Sequence, residues 1–180
     1  VGLGLARAHR VSYVGELGWE LYVPTEMAAH VFETLMAAEP APVLAGLHAL
    51  DSCRLEKGFR HWGHDITDED MPDEAGMGFL VKPAKGDFLG RDAVLRRREA
   101  GQNRRLVNVI LDDPGPMLFC NEPLLRDGRI VSILTSGNYG HSLGAAVGMG
   151  WAPLAAGEDP AALPRSIWEV EIAGRRHRAR

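Results

Sequence analysis

The chain has 180 residues, 46% hydrophobic and 24% charged, with a formal net charge of −4. That length builds one domain or two small ones and buries roughly 70% of the unfolded surface. The slight acidity argues against nucleic acid as a partner, and two cysteines without CxxC spacing, Cys53 and Cys120, argue against a disulfide framework or a structural zinc site and fit a reducing compartment.

Taken in chain order, residues 7–14 (RAHRVSYV) alternate weakly, and 17–23 (LGWELYV) are rich in aromatic and β-branched residues. They predict two strands with GELG as the bend. Pro24 stops the second strand, and Thr25 offers an N-cap to a helix from 26 to about 38, with Val31, Phe32, Leu35 and Met36 on one face. A second helix, from about 46 to 57, ends at Gly58. Its apolar side is Leu47, Ala49, Leu50 and Cys53; Asp51, Arg54 and Glu56 are polar. Residues 61–78 read as irregular, with six acids between Asp65 and Glu74. A helix over 90–100 is closed by Gly101.

From 105 onward the pattern changes to short alternating runs, LVNVIL, RIVSILTS, AAVGMGWA and IWEVEIAG, punctuated by Asp127-Gly128 and Ala173-Gly174. This predicts a small all-β barrel or sandwich. The fold class is therefore α+β, with the boundary near the arginine-rich stretch 96–105.

The N-terminus, VGLGLARAHR, has neither the charged start nor the apolar core of a secretion signal. The uncharged stretch Gly144–Gly157, 14 residues, is too short to span a bilayer. The missing initiator methionine, a few residues before a predicted strand, raises the expectation of a piece of a longer polypeptide.

Several groups carry possible chemistry. The acidic stretch DITDEDMPDE lacks the alternating ligands and glycine of a calcium loop and reads as a solvated loop. His61, His64 and Asp65 could meet a transition metal, but no helix-borne partner accompanies them, and structural histidines are favoured. The glycines of GNYGHSLGAAVGMG approach GxGxxG spacing yet precede no helix, so tight barrel turns explain them better than a dinucleotide. Arg96, Arg97, Arg98, Arg104 and Arg105 read as a solvated helix end, with docking of an anionic tail or another domain as the other reading. No nucleophile motif is present.

Four longer segments carry a resemblance: SYVGELGWELYVP (12–24), GLHALDSCRLEKGFRHWGHDI (46–66), MPDEAGMGFLVKPAKGDFLGRDAVL (71–95) and LTSGNYGHSLGAAVGMGWAP (134–153). In order and content they resemble the folate-binding aminomethyltransferase family, which includes the glycine-cleavage T-protein. RLEKGFRHWGHDI is similar to the sarcosine and dimethylglycine dehydrogenase branch, in which a flavin domain precedes the folate domain. KGDFLGRD lacks the cysteine of the iron–sulfur assembly relatives.

The resemblance implies a partial folate-binding domain over 1–88, a connecting helix over 89–103 and a C-terminal antiparallel β-barrel over 104–180. It implies tetrahydrofolate as cofactor, with FAD only in a domain outside this chain, and a small N-methyl amine as substrate of the parent protein. Glu20 matches the pterin-binding glutamate, with Glu16 as the alternative. A carboxylate suits that task because it accepts the exocyclic amino group and the neighbouring ring N–H together. Phe59 matches a ring position near the pterin, and Tyr13 and Trp62 are further candidates.

Leu50 stands where the family has an arginine, which leaves Arg54 as the nearest guanidinium. No residue matches the family's catalytic aspartate, so the chain alone is expected to be inactive. The implied activity is transfer of a one-carbon unit from an N-methyl amine to tetrahydrofolate. A glycine-cleavage T-protein and a non-catalytic folate-binding or scaffold module are the alternatives. The implied location is the bacterial cytoplasm or the mitochondrial matrix.

Overall fold

The computed structural model describes residues 4–180 and divides into two compact units, Val1–Phe59 and Arg60–Arg180.

In the first unit, strands β1 (Arg7–His9) and β2 (Glu20–Tyr22) pair antiparallel, with His9 opposite Glu20. Each is three residues long, shorter than the strands predicted over 7–14 and 17–23. The ladder stops because residues 13–17 form a series of bends and Gly15 takes φ +75°. The aromatic and β-branched residues that suggested longer strands serve that loop instead. A 3-10 turn, Thr25–Met27, leads into helix α1 (Ala28–Met36). Thr25 makes no side-chain cap; the turn starts from Pro24, whose carbonyl accepts the Met27 N–H at 2.9 Å.

Helix α2 (Leu47–Glu56) ends as its glycine predicts. Gly58 takes φ +65°, its N–H bonds to Leu55 O, and the Phe59 N–H bonds to Arg54 O, each at 2.9 Å. This is a Schellman termination. The buried side of α2 differs from the apolar side read from sequence: Ser52, Arg54 and Leu55 are buried, while Leu47 is 81% exposed. Arginine can occupy that side because its head finds partners there and its stem is apolar.

The second unit begins with turns and two 3-10 segments, Gly78–Leu80 and Pro83–Lys85, followed by helix α3 (Arg91–Ala100). Gly90 (φ +86°) and Gly101 (φ +82°) bracket α3. Six strands follow: β3 (Arg104–Ile110), β4 (Pro123–Arg126), β5 (Arg129–Gly140), β6 (Ala145–Pro153), β7 (Trp168–Ile172) and β8 (Arg175–Ala179). They pair antiparallel in the order β3-β6-β5-β4-β7-β8.

The sheet closes on itself. Ile110 and Arg180 exchange N–H···O bonds of 2.9 and 3.0 Å, and Leu111 bridges Ala179. Of the two β architectures predicted, the closed barrel is the one formed. Leu111, Leu118, Leu124, Leu134 and Val170 fill its interior with no exposure. The sequence pattern missed β4 and β8. The first is only four residues, and the second reads RRHRA, with no apolar alternation. Two-residue left-handed turns at Asp127-Gly128 (φ +52°, +78°) and Ala173-Gly174 (φ +48°, +76°) pair both strands nonetheless.

Asp70, Asp73 and Glu74 of the acidic stretch and Arg97, Arg98, Arg104 and Arg105 of the arginine cluster, each expected to be solvated, are one another's partners. Arg104 donates to Asp70 Oδ1 at 2.6 Å and to Glu74 Oε2 at 3.2 Å. Arg98 donates to Asp73 Oδ2 at 2.9 Å, and Arg97 lies 3.6 Å from Glu74 Oε1. Arg105 reaches the Asp73 carbonyl at 2.5 Å. Asp65 and Glu74 are buried. These pairs join residues about thirty positions apart, beyond the local window in which a charge run reads as solvent-facing.

Two predictions follow from the barrel. A Cβ on Gly137 would stand 2.7 Å from Phe119 N and 2.8 Å from Leu118 C, both backbone atoms. Gly137→Ala therefore lowers stability by about 1–3 kcal/mol, the usual cost of overpacking, read by thermal unfolding. The second concerns Arg126, which donates to Ser166 Oγ at 2.8 Å and Pro153 O at 3.2 Å and pairs with Glu158. Its hydrogen bond, followed by the Ala155 N–H, holds the Glu158 carboxyl below its ordinary value. A depressed carboxyl stabilises the fold at neutral pH, and that contribution is lost as pH falls through the folded-state value. The stability gap between the native protein and Glu158→Gln closes as pH is lowered beneath the ordinary glutamate value of about 4.3, measured by denaturant unfolding across the acid range.

Candidate functional site

In the first unit the β1–β2 loop meets the end of α2. The rings of Tyr13 and Phe59 stack with centroids 6.3 Å apart and planes 21° from parallel. Gly15 packs so tightly on the stem of Lys57 that a Cβ would overlap it. Glycine is favoured there by its left-handed φ of +75°, while the exposed Lys57 stem would have to shift for any larger residue.

Arg54 is bonded to the backbone of Phe59. It is 1% exposed, donates from Nε to Asp51 Oδ1 at 2.7 Å and from Nη1 to the Phe59 carbonyl at 3.1 Å. Two of its donor groups are therefore committed within the unit, one to Asp51 and one to the Phe59 carbonyl.

Glu20 opens β2 and is exposed. Its Oε2 accepts the Tyr22 hydroxyl at 2.8 Å, from the next residue on the same strand face. That bond and the carboxylate's charge raise the Tyr22 pKa above the ordinary tyrosine value. The His9 ring, opposite Glu20 in the ladder, lies 5.0 Å from the Tyr22 ring. Glu16, the alternative carboxylate, is exposed among the loop bends.

Trp62 belongs to the second unit. It is 65% exposed, bridges Ile66, and lines a hollow of about 330 Å³ with Ile66, Asp70, Pro72 and Met77. Its loop is anchored by Asp65, which is 1% exposed. Oδ1 of Asp65 accepts the hydroxyls of Thr135 at 2.5 Å and Ser136 at 2.7 Å, and Oδ2 accepts the His61 N–H at 2.9 Å. The Asp65 carbonyl accepts Trp151 Nε1 at 3.2 Å. Asp65, one corner of the metal reading, is thus engaged with the barrel strand β5. Burial and the neighbouring charge of Arg105 lower the Arg60 pKa, which Asp65 partly offsets.

The structure therefore brings Tyr13, Phe59 and Arg54 into one cluster and places Glu20 on the same hairpin as Tyr13. Trp62 is held within the other unit. Sequence reading missed the role of Tyr22, for which the Glu-x-Tyr spacing on a strand was the available signal. It also missed the Asp51 partnership of Arg54, visible as an i, i+3 pair on a helix. No helix among the described residues is long and apolar enough to cross a membrane.

Residues 1–85 match the family model of the GCVT N-terminal domain, and residues 104–180 match that of the glycine cleavage T-protein C-terminal barrel domain. The chain is 44% identical over 180 residues to a 4-methylaminobutanoate oxidase (formaldehyde-forming) of Paenarthrobacter nicotinovorans, covering 98% of this chain and 21% of that protein. It is 38% identical over 166 residues to the mitochondrial sarcosine dehydrogenase of Homo sapiens, covering 91% of this chain and 17% of the relative. In structure it is similar to the glycine cleavage system aminomethyltransferase T of Bartonella henselae, with a TM-score of 0.80 and 27% identity over 96% of this chain and 47% of that one. The chain spans about a fifth of the length of the first two relatives.

Asp65 is the buried anchor of its loop. Its two oxygens meet only donors among the bonds above, so an amide at this position must turn its NH₂ toward a hydroxyl or the His61 N–H. Asp65→Asn lowers stability by about 2–3 kcal/mol, the size of one charge-assisted hydrogen bond lost in a buried setting, as read by calorimetric unfolding.

Proposed function

This chain belongs to the aminomethyltransferase family of the glycine-cleavage T-protein, and we propose that it is the folate-holding module of a longer N-methyl amine dehydrogenase. In that protein a flavin domain elsewhere oxidises the amine, and this module helps deliver the one-carbon unit to tetrahydrofolate, giving 5,10-methylenetetrahydrofolate. The relatives support this reading: one is named as an oxidase of a methylamino acid that forms formaldehyde, the other as a sarcosine dehydrogenase. We divide the module into a folate-holding part over 1–88, a connecting helix over 89–103 and a barrel over 104–180. The matched spans 1–85 and 104–180, with α3 between them, support that division.

The observation that carries the proposal is the exposed Glu20 carboxylate on a hairpin whose own loop holds Tyr13 in a stack with Phe59. A pterin is flat and offers an exocyclic amino group beside a ring N–H. Glu20 accepts both at once, as a charge-assisted bidentate pair. Tyr22, donating to Oε2, turns the carboxylate and limits its rotation. Tyr13 and Phe59 supply aromatic surface. Glu16 is assigned no contact with the ligand.

Tetrahydrofolate, when bound, supplies the N5 amine that takes up the one-carbon unit. The work of this chain's residues is to hold and orient, and their contribution to rate comes from proximity. No residue of this chain is assigned a covalent role, and none is assigned to FAD.

In the full-length protein, Glu20→Gln weakens tetrahydrofolate binding by about 1–3 kcal/mol by isothermal titration calorimetry, while amine oxidation followed with an artificial electron acceptor is unchanged. An unaltered folate affinity would show that Glu20 is not the pterin partner.

A further inference from the structure

Arg54 and Phe59 hold each other at two points. The Phe59 N–H donates to Arg54 O at 2.9 Å, and Arg54 Nη1 donates back to Phe59 O at 3.1 Å. The helix end that joins them turns through Gly58 in the left-handed conformation, which sets the direction in which Phe59 leaves α2. Asp51 fixes the guanidinium itself, through Nε at 2.7 Å. The fork geometry of arginine is what allows one side chain to serve a carboxylate and a carbonyl together. On the far side of Phe59 its ring meets Tyr13.

A buried guanidinium is costly to keep unless it is paired, and helix termination needs no arginine. Here the charge sits where it can fix the backbone of one aromatic residue. We propose that Arg54 is a positioning residue, which sets the Phe59 ring against Tyr13 and so presents the aromatic surface that a pterin uses. Asp51 completes the device by orienting Arg54. This rests on the pterin reading of the hairpin and extends it to residues that do not touch the ligand.

The test is a double-mutant cycle in the full-length protein, read by tetrahydrofolate titration calorimetry, with thermal unfolding run alongside. Arg54→Lys keeps the charge and removes the fork. It weakens folate binding by about tenfold, equivalent to one hydrogen bond's worth of orientation, and Phe59→Leu weakens it at least as much. If Arg54 acts through the ring, adding Arg54→Lys to Phe59→Leu costs no further affinity. Equal and additive losses in the two backgrounds overturn the proposal, as does an unchanged affinity for Arg54→Lys alone. Should Arg54→Lys fail to fold, Asp51→Asn enters the same cycle with the same expectation, because it frees Arg54 Nε without removing the guanidinium. Failure of the pterin reading is distinguishable: there Glu20→Gln and Phe59→Leu leave the folate affinity untouched, whatever Arg54 does.

Discussion

The guanidinium of Arg54 is 1% exposed, and withdrawing such a charge from water costs several kcal/mol unless partners replace the solvent. Asp51 and the Phe59 carbonyl do so, and the first unit is arranged around that requirement. The Schellman end at Gly58 sets where Phe59 leaves α2, and there the Phe59 carbonyl meets the Arg54 guanidinium. Phe59 in turn gives the hairpin loop a surface through Tyr13, and Gly15 lets the loop close on Lys57. Little else is buried: Val31 and Leu55 are the large aliphatic side chains out of solvent in this unit among the described residues. A polar contact therefore carries organisation that a larger hydrophobic core supplies elsewhere.

The second unit joins two kinds of organisation. Its barrel is closed by backbone pairing and filled with leucine and valine, as small antiparallel barrels are. The segment before it has little regular structure and is pinned by charge. Asp65 is held by two hydroxyls of β5, and Asp70, Asp73 and Glu74 by arginines of α3 and β3. Arg104 also lies over the Trp151 ring at 4.4 Å, so one side chain serves both an ion pair and an aromatic face. Networks of this kind resist replacement by single charges, because each oxygen left unpaired in a buried setting is penalised.

Much of this was legible in the sequence, for reasons that differ by element. Glycines at 58, 101, 128 and 174 announced their helix ends and turns because each holds a left-handed backbone that few other residues accept. The long motifs identified the family, and the α+β class with a C-terminal barrel followed from the change of periodicity near 105. Strand β8 was invisible because an arginine-rich edge has no apolar alternation, and its pairing is imposed by the turn at 173–174. The acid–arginine pairs were invisible because they are long-range. Arg54 was read as a polar side chain of its helix and, through the resemblance, as the guanidinium nearest the folate; its burial depends on a carbonyl five residues ahead, a tertiary fact that a helical wheel does not contain. Glu20 was singled out only through the motif, since strand chemistry alone treats an exposed carboxylate as solvent-facing.

The central claim is that the Glu20 hairpin holds a pterin. A crystal structure of the full-length protein with tetrahydrofolate tests it most directly. The account predicts the exocyclic amino group and the adjoining ring N–H each about 3 Å from a Glu20 carboxylate oxygen, with Tyr13 or Phe59 against the pterin. A pterin bound elsewhere, with Glu20 bonded only to Tyr22 and water, would contradict it.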